Sequence, residues 1–171
     1  MNLFRSSASL MIPGFGWICL EAEGGAITRA YFGDTSVTEG DPDPILIEAL
    51  QQMQEYLNGE RKSFDLFLQP AGTPFQNSVW KALQSVPHGQ TLTYKQFASG
   101  LADVKSTRAV ASAIGANPIA VIIPCHRIVG AKGDLTGYAW GIDRKEWLLN
   151  KEQGVEAPSI FDNTNVEGQG Q

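Results

Sequence analysis

Hydrophobic residues recur with two different periods along the chain, and the change of period divides it. Near the N-terminus two runs, 17–21 and 26–32, are rich in β-branched and aromatic residues and flank Gly24-Gly25. Paired glycines supply the positive φ angles of a tight turn, so this pattern predicts a β-hairpin. Asp41-Pro42-Asp43-Pro44 combines a turn with a helix start. Ile45, Ala49, Met53, Tyr56 and Leu57 then recur at helical spacing as far as Gly59. That predicts a helix with one buried face and a glycine stop. Residues 63–68 read as one more strand, and the whole of 1–72 reads as a small α/β unit.

Gln69-Pro70-Ala71-Gly72 reads as a linker, and beyond it the helical period takes over. Thr73-Pro74-Phe75-Gln76 is a capping box with proline at the first helical position. Phe75, Val79, Ala82, Leu83 and Val86 form its apolar face, and Pro87-His88-Gly89 ends it. A second box, Thr93-Tyr94-Lys95-Gln96, opens a short helix that buries Phe97, Ala98 and Leu101. A third helix is expected over 105–114, stopping at Gly115. Two short helices with a tight connection predict a helix-turn-helix. The third helix has little bulk: Ser106, Thr107, Ala109, Ala111, Ser112 and Ala113 surround Arg108. Such a backbone can approach a groove closely, or pack tightly on a neighbouring helix.

The apolar run 119–123 predicts a buried strand, stopped by Pro124, which cannot donate to a sheet ladder. A glycine-rich loop over 130–141 carries Tyr138 and Trp140. Asp143-Arg144-Lys145-Glu146 predicts a third capping box, leading through Trp147, Leu148 and Leu149 to Glu152, with Gly154 as the stop. The polar residues 155–171 show no period, and a disordered tail is expected there.

Composition narrows the class. Of 171 residues, 43% are apolar and 18% charged, as in a globular chain with no run of transmembrane length. The first twenty residues hold one arginine and an apolar stretch broken by Pro13, Gly14 and Gly16, a poor secretory signal. Cys19 and Cys125 are too far apart for a metal-ligand spacing or a disulfide framework, which points to a reducing, cytoplasmic compartment and no metal. The net charge of −5 argues against a nucleic-acid partner until it is divided. Residues 73–152 carry nine Lys/Arg against five Asp/Glu, a net +4, so a DNA-binding surface is possible in the second half only.

The densest chemistry lies at Pro124-Cys125-His126-Arg127-Ile128. A thiol at the end of a buried element, with an imidazole beside it, has the anatomy of a cysteine nucleophile. Glu152 falls four residues after Leu148 and three after Leu149, over the apolar face of its helix. A carboxylate aimed inward needs a partner, and His126 would serve. Cys19, inside its strand, reads as a core residue, and His88 as a surface one. At this level a cysteine hydrolase and a helix-turn-helix regulator both remain open.

These residues resemble the O6-alkylguanine-DNA alkyltransferases, also called methylated-DNA–protein-cysteine methyltransferases, in their bacterial single-function form. The resemblance rests on Pro124-Cys125-His126-Arg127, Phe75-Gln76 with Val79-Trp80, Thr93-Tyr94-Lys95-Gln96, Thr107-Arg108-Ala109-Val110, Asn117-Pro118, Gly137-Tyr138 and Lys145-Glu146-Trp147-Leu148-Leu149, all in family order. It spans about 73–154 and is only architectural before that.

The resemblance implies an α+β fold. A small N-terminal α/β domain (1–72, with a ribonuclease-H-like sheet) would precede a mostly helical, winged helix-turn-helix-like catalytic and DNA-binding domain (73–154). It implies a monomer that needs no cofactor and no membrane. The partner would be double-stranded DNA containing O6-alkylguanine, with O4-alkylthymine left open. Cys125 would take the alkyl group permanently. His126 would accept the thiol proton through a water, Glu152 would orient His126, and Asn117 would brace the cysteine backbone. Tyr138 would assist the departing guanine, and Lys145 would lie near the thiolate. Arg108 would enter the duplex, Tyr94 would press the adjacent phosphate, and Thr107, Ala109, Ser112 and Arg127 would complete the DNA contacts. Ala120 and Trp140 would flank the pocket, with Trp140 narrowing its mouth against bulky alkyl groups. Some relatives carry a zinc site that these cysteines and histidines cannot build, or a regulatory module for which the chain has no room. Others lack the cysteine and only bind lesions; the presence of Cys125 argues against that alternative.

Overall fold

A computed structural model describes residues 5–41, 43–101 and 106–155. The chain opens with three antiparallel strands, β1 (Arg5–Ile12), β2 (Gly16–Glu23) and β3 (Ala26–Gly33), in the order β1-β2-β3. Gly24 and Gly25, at φ 60° and 80°, make the turn between β2 and β3. Helix α1 (Pro44–Leu57) follows and contacts all three strands. The Asp43 side chain accepts from the Ile45 N–H and Pro44 supplies the first helical position. The buried face is Leu46, Ala49, Gln52, Met53 and Tyr56, so it is centred one residue beyond the expected Ile45.

The second half holds α2 (Pro74–Leu83), β4 (Leu92–Thr93), α3 (Tyr94–Ser99), α4 (Thr107–Gly115), β5 (Ile128–Val129) and α5 (Ile142–Glu152). Both threonine capping boxes form: Thr73 and Thr93 accept from the N–H groups of Gln76 and Gln96, whose side chains accept in return from the threonine N–H groups. Strands β4 and β5 pair in parallel and tie α3 to the segment that follows the cysteine. Trp80 is fully buried between α2 and α4 and donates its indole N–H to the Ala113 carbonyl at 2.7 Å. Gly72 is required there: a Cβ would lie 2.4 Å from the Trp80 ring. The outer edge of β3 is covered by two segments, 67–69 and 118–120. Ala30 exchanges backbone hydrogen bonds with Pro118 and Ala120, and Ile27 bonds with Phe67 and Gln69.

Five sequence expectations change. Strand β1 was not anticipated, because Ser6, Ser7 and Ser9 blur its alternation. Residues 63–68 make only one bridge, at Leu68. The buried amide of Gln52 bonds both the N–H and the carbonyl of Asp65, occupying groups that a strand partner would need. The run 119–123 is buried as expected, yet it bridges β3 only at Ile119 and then turns. Helix α2 ends at Leu83, short of Pro87. The third capping box does not form: α5 starts two residues earlier, with Gly141 at φ 98° as its N-cap and Asp143 inside the first turn. The expected start of the third helix at residue 105, Pro42 and the tail 156–171 lie outside the described residues. Among the described residues no helix is long and apolar enough to cross a membrane.

Candidate active site

Two three-residue turns deliver the thiol. The Ile122 N–H donates to the Ala120 carbonyl at 2.8 Å around Val121, whose φ is 69°. The Cys125 N–H donates to the Ile123 carbonyl at 2.8 Å around Pro124, at φ −82° and ψ 60°, an inverse γ-turn. A β-branched residue in the left-handed region costs about 1–3 kcal/mol and persists only where its surroundings hold it. Here they do. Residues 119–123 are all buried, and Asn117 bonds the loop from within. The Asn117 Oδ1 accepts from the Ile119 N–H at 3.0 Å, and its Nδ2 donates to the Ile123 carbonyl at 2.9 Å and to Cys125 Sγ at 3.1 Å. Asn117 thus braces the backbone and also presents a donor to the sulfur.

Burial pushes the Cys125 thiol up to about 11, against the opposing pull of Asn117 and Lys145. At neutral pH the sulfur is therefore protonated and needs a base. His126 follows in a 3-10 turn (Cys125–Arg127) and is fully buried. Its Nε2 lies 2.8 Å from Glu152 Oε1. Burial pushes Glu152 upward, but hydrogen bonds from His126 and Arg127 outweigh it and hold the carboxyl well below the usual range. Glu152 is thus ionised and can only accept, so Nε2 carries the ring proton. Burial also lowers His126 despite Glu152, which leaves a neutral imidazole whose buried Nδ1 has no partner among the described residues. A neutral ring with one free lone pair is a base in waiting.

The loop over 130–141 is held over this group by Lys145. Its buried Nζ donates to the Ile128 carbonyl at 2.6 Å and the Thr136 carbonyl at 2.9 Å, tying the loop at Thr136 to β5 at Ile128. Burial lowers Lys145, and a thiolate at Cys125 pulls the other way. Tyr138 is buried edge-on to Trp140, with ring centroids 5.4 Å apart. Its hydroxyl has no hydrogen-bond partner among the described residues, and burial keeps it protonated far above its ordinary range. Trp140 is half-buried, with Tyr138 and Phe32 as its ring neighbours.

Arg108, Thr107 and Ser112 are exposed on α4, opposite its buried Val110, Ala113 and Ile114, with Ala109 at the margin. Tyr94 is half-buried at the start of α3, and its hydroxyl reaches the Thr136 carbonyl at 3.4 Å. Gly137, at φ 67°, makes room: a Cβ there would meet the Tyr94 oxygen at 3.1 Å.

Arg127 is a correction. Expected at the DNA surface, it is buried. Its Nε and Nη2 donate to Glu152 at 3.0 and 2.9 Å, and its Nη1 donates to the Val86 carbonyl. A permanent charge inside the protein requires such pairing, and the carboxylate of Glu152 supplies it. His88 is half-buried rather than on the surface, edge-on to Tyr56. Two contributors to the site went unseen in the sequence: the Tyr56 hydroxyl, 2.7 Å from Glu152 Oε1, and the Gly89 N–H, 3.0 Å from Oε2. The signal for Tyr56 was a phenol on an otherwise aliphatic helix face, since a buried hydroxyl wants a partner.

Fold and site together place the chain in a class with known members. The model of the family described as "6-O-methylguanine DNA methyltransferase, DNA binding domain" matches residues 74–154. The methylated-DNA–protein-cysteine methyltransferase of Methanosarcina acetivorans is 53% identical over 105 residues, 61% of this chain and 67% of that protein. Its Mycobacterium tuberculosis counterpart is 46% identical over 133 residues, 75% of this chain and 80% of that one. The crystal structure of the M. tuberculosis O6-methylguanine methyltransferase superposes with a TM-score of 0.77 at 38% identity, covering 91% of this chain and 96% of that one. A structure of that protein in complex with DNA gives 0.76 at 38% identity, covering 87% and 93%. The chain belongs to the methylated-DNA–protein-cysteine methyltransferase family.

Proposed function

We propose that this protein repairs O6-alkylguanine in duplex DNA by moving the alkyl group onto Cys125, once per molecule. The observation that carries the reading is the buried thiol bonded by Asn117, next in the chain to a neutral histidine whose far nitrogen is held by an ionised Glu152. His126 takes the thiol proton. The sulfur attacks the alkyl carbon, the S–C bond forms, and the C–O6 bond breaks. The electron pair returns to the guanine, to which Tyr138 donates a hydrogen bond as negative charge develops there. The proton that His126 took from the thiol returns, through solvent, to N1 of the guanine anion, so a thioether, an unmodified guanine and a neutral His126 remain.

Cys125 is buried, so an alkylated base must leave its stack to reach it. Extrusion costs a few kcal/mol, offset by a side chain filling the gap and by contacts to phosphate. Arg108 is the exposed side chain suited to that gap, on a helix face of small residues that Thr107, Ala109 and Ser112 share. Tyr94 stands beside the loop to press the phosphate. In this reading residues 73–154 form a catalytic, winged helix-turn-helix-like part, supported by the α3–α4 pair and the β4–β5 ribbon. Residues 1–72 form a smaller part with a ribonuclease-H-like sheet, and the protein works as a cytoplasmic monomer.

The test is intact mass before and after mixing with duplex DNA holding one O6-methylguanine. One methyl replacing the thiol hydrogen at Cys125, one to one and without turnover, is the expected result. Selective lesion binding with no mass gain would instead mean a lesion-binding protein.

A further inference from the structure

Glu152 receives donors from three parts of the chain, and one of them lies outside the segment that holds the rest of the site. Arg127 and His126 come from the 3-10 turn, and the Gly89 N–H from the loop after α2. The third donor is the Tyr56 hydroxyl, from α1, ninety-six residues away in sequence. Tyr56 is buried, its ring packed on Phe64 at 5.2 Å and edge-on to His88 at 6.0 Å. It bonds Oε1, the same oxygen that His126 uses, at 2.7 Å against 2.8 Å for the histidine.

We propose that Tyr56 is a positioning residue for the alkyl-transfer site: by sharing the Glu152 oxygen with His126, it sets how firmly His126 holds a proton. The N-terminal half is then a working part of the site rather than a lid on its core. This rests on the proposed alkyl transfer for its kinetic readout only.

The sign follows from the shared atom. Each donor to Oε1 disperses its negative charge and weakens its hold on the others. Without the hydroxyl, Oε1 stabilises a protonated His126 more strongly, so the imidazole gains its charge at a higher pH. A base must be neutral to accept the thiol proton, so the acidic limb of the rate profile moves up with it. Other groups face the pair. Arg127 bonds Glu152 directly, His88 lies within electrostatic reach of Glu152, and Lys145 and Arg127 both act on His126. Lys62 acts on His88, and Tyr138 feels Cys125, Tyr56 and Glu152. Tyr56 is the direct donor that can be deleted without changing charge, because burial keeps its phenol neutral far above the ordinary tyrosine range.

The experiment compares the full-length wild type with Tyr56→Phe. It follows the side-chain nitrogens of His126 by NMR, and the methyl-transfer rate to an O6-methylguanine duplex, across pH. Tyr56→Phe is expected to move the His126 titration and the acidic limb up by about half a unit, a roughly threefold slower reaction on the acidic side. Putting 3-fluorotyrosine at Tyr56, a stronger donor of nearly the same size, should move both down; this arm stands if Tyr56→Phe fails to fold. Phe64→Leu loosens the same packing while keeping the hydroxyl, and should lower thermal stability without moving either pH readout. Unchanged His126 titrations, an imidazole neutral throughout in every variant, or an equal shift in Phe64→Leu would overturn the proposal. A wild type that takes no methyl while the titrations shift as expected would refute the alkyl-transfer reading and leave the Tyr56 link standing.

Discussion

Arg127→Met separates a buried counter-ion from a DNA-contacting cation. Methionine keeps much of the arginine stem and deletes the guanidinium. Glu152 then loses two donors at 3.0 and 2.9 Å, and the Val86 carbonyl loses one. Removing one member of a buried ion pair costs about 3–5 kcal/mol, because the remaining charge stays desolvated. Set against a typical total of about 5–15 kcal/mol, that is a large share. With a urea dependence of about 2 kcal/mol per molar, the unfolding midpoint should fall by about 2 M. The loss depends on pH in a definite direction. Glu152 is depressed in the folded state, so its contribution is complete above the unfolded carboxylate range and fades as pH falls below about 4. Arg127→Met lessens that depression, so the gap between variant and wild type should narrow in acid. Binding to duplex DNA should keep its salt dependence, whereas deleting a phosphate contact would reduce the slope of log K against log salt by about 0.9. A variant with wild-type urea stability and a slope reduced by that amount would refute the buried placement.

Asn117→Ala should cost about 1–3 kcal/mol in denaturant midpoint and slow methylation, because the braced loop loses its bonds and the Cys125 thiol, already near 11, rises further. Gly137→Ala should cost about 1 kcal/mol or more in thermal unfolding, since φ 67° and the Tyr94 oxygen at 3.1 Å both oppose a Cβ. Wild type should react poorly with O6-benzylguanine compared with O6-methylguanine, and Trp140→Gly should raise the benzyl-to-methyl rate ratio about tenfold or more; equal benzyl and methyl rates in wild type would remove Trp140 from the pocket mouth. Arg108→Ala, at an exposed position, should leave stability within about 0.5 kcal/mol. It should slow transfer from duplex DNA while leaving transfer from the free base unchanged, which single-turnover rates on the two substrates would check.

Local chemistry carried the helices. Capping at Asp43, Thr73 and Thr93 is decided within four residues, so α1, α2 and α3 begin where the sequence places them. The Gly24-Gly25 turn is local in the same sense, and Cys125, His126 and Asn117 lie within ten residues of one another. Glu152 could be turned inward from periodicity alone. Where an outcome depended on distant partners, the same reasoning stopped. The run 119–123 is apolar enough for a strand, but pairing with Ala30 and bonding by Asn117 fold it into turns that aim the thiol. The strand expected at 63–68 gave way to a glutamine from α1. Motif spacing and capping thus sufficed to name the groups able to do the chemistry and the helices that carry them. That Arg127 turns inward to pair with Glu152, and that Tyr56 reaches the same carboxylate across the molecule, follows from packing alone. A buried charge takes whatever donors the packing brings to it, and that choice is settled by long-range contact rather than by spacing along the chain.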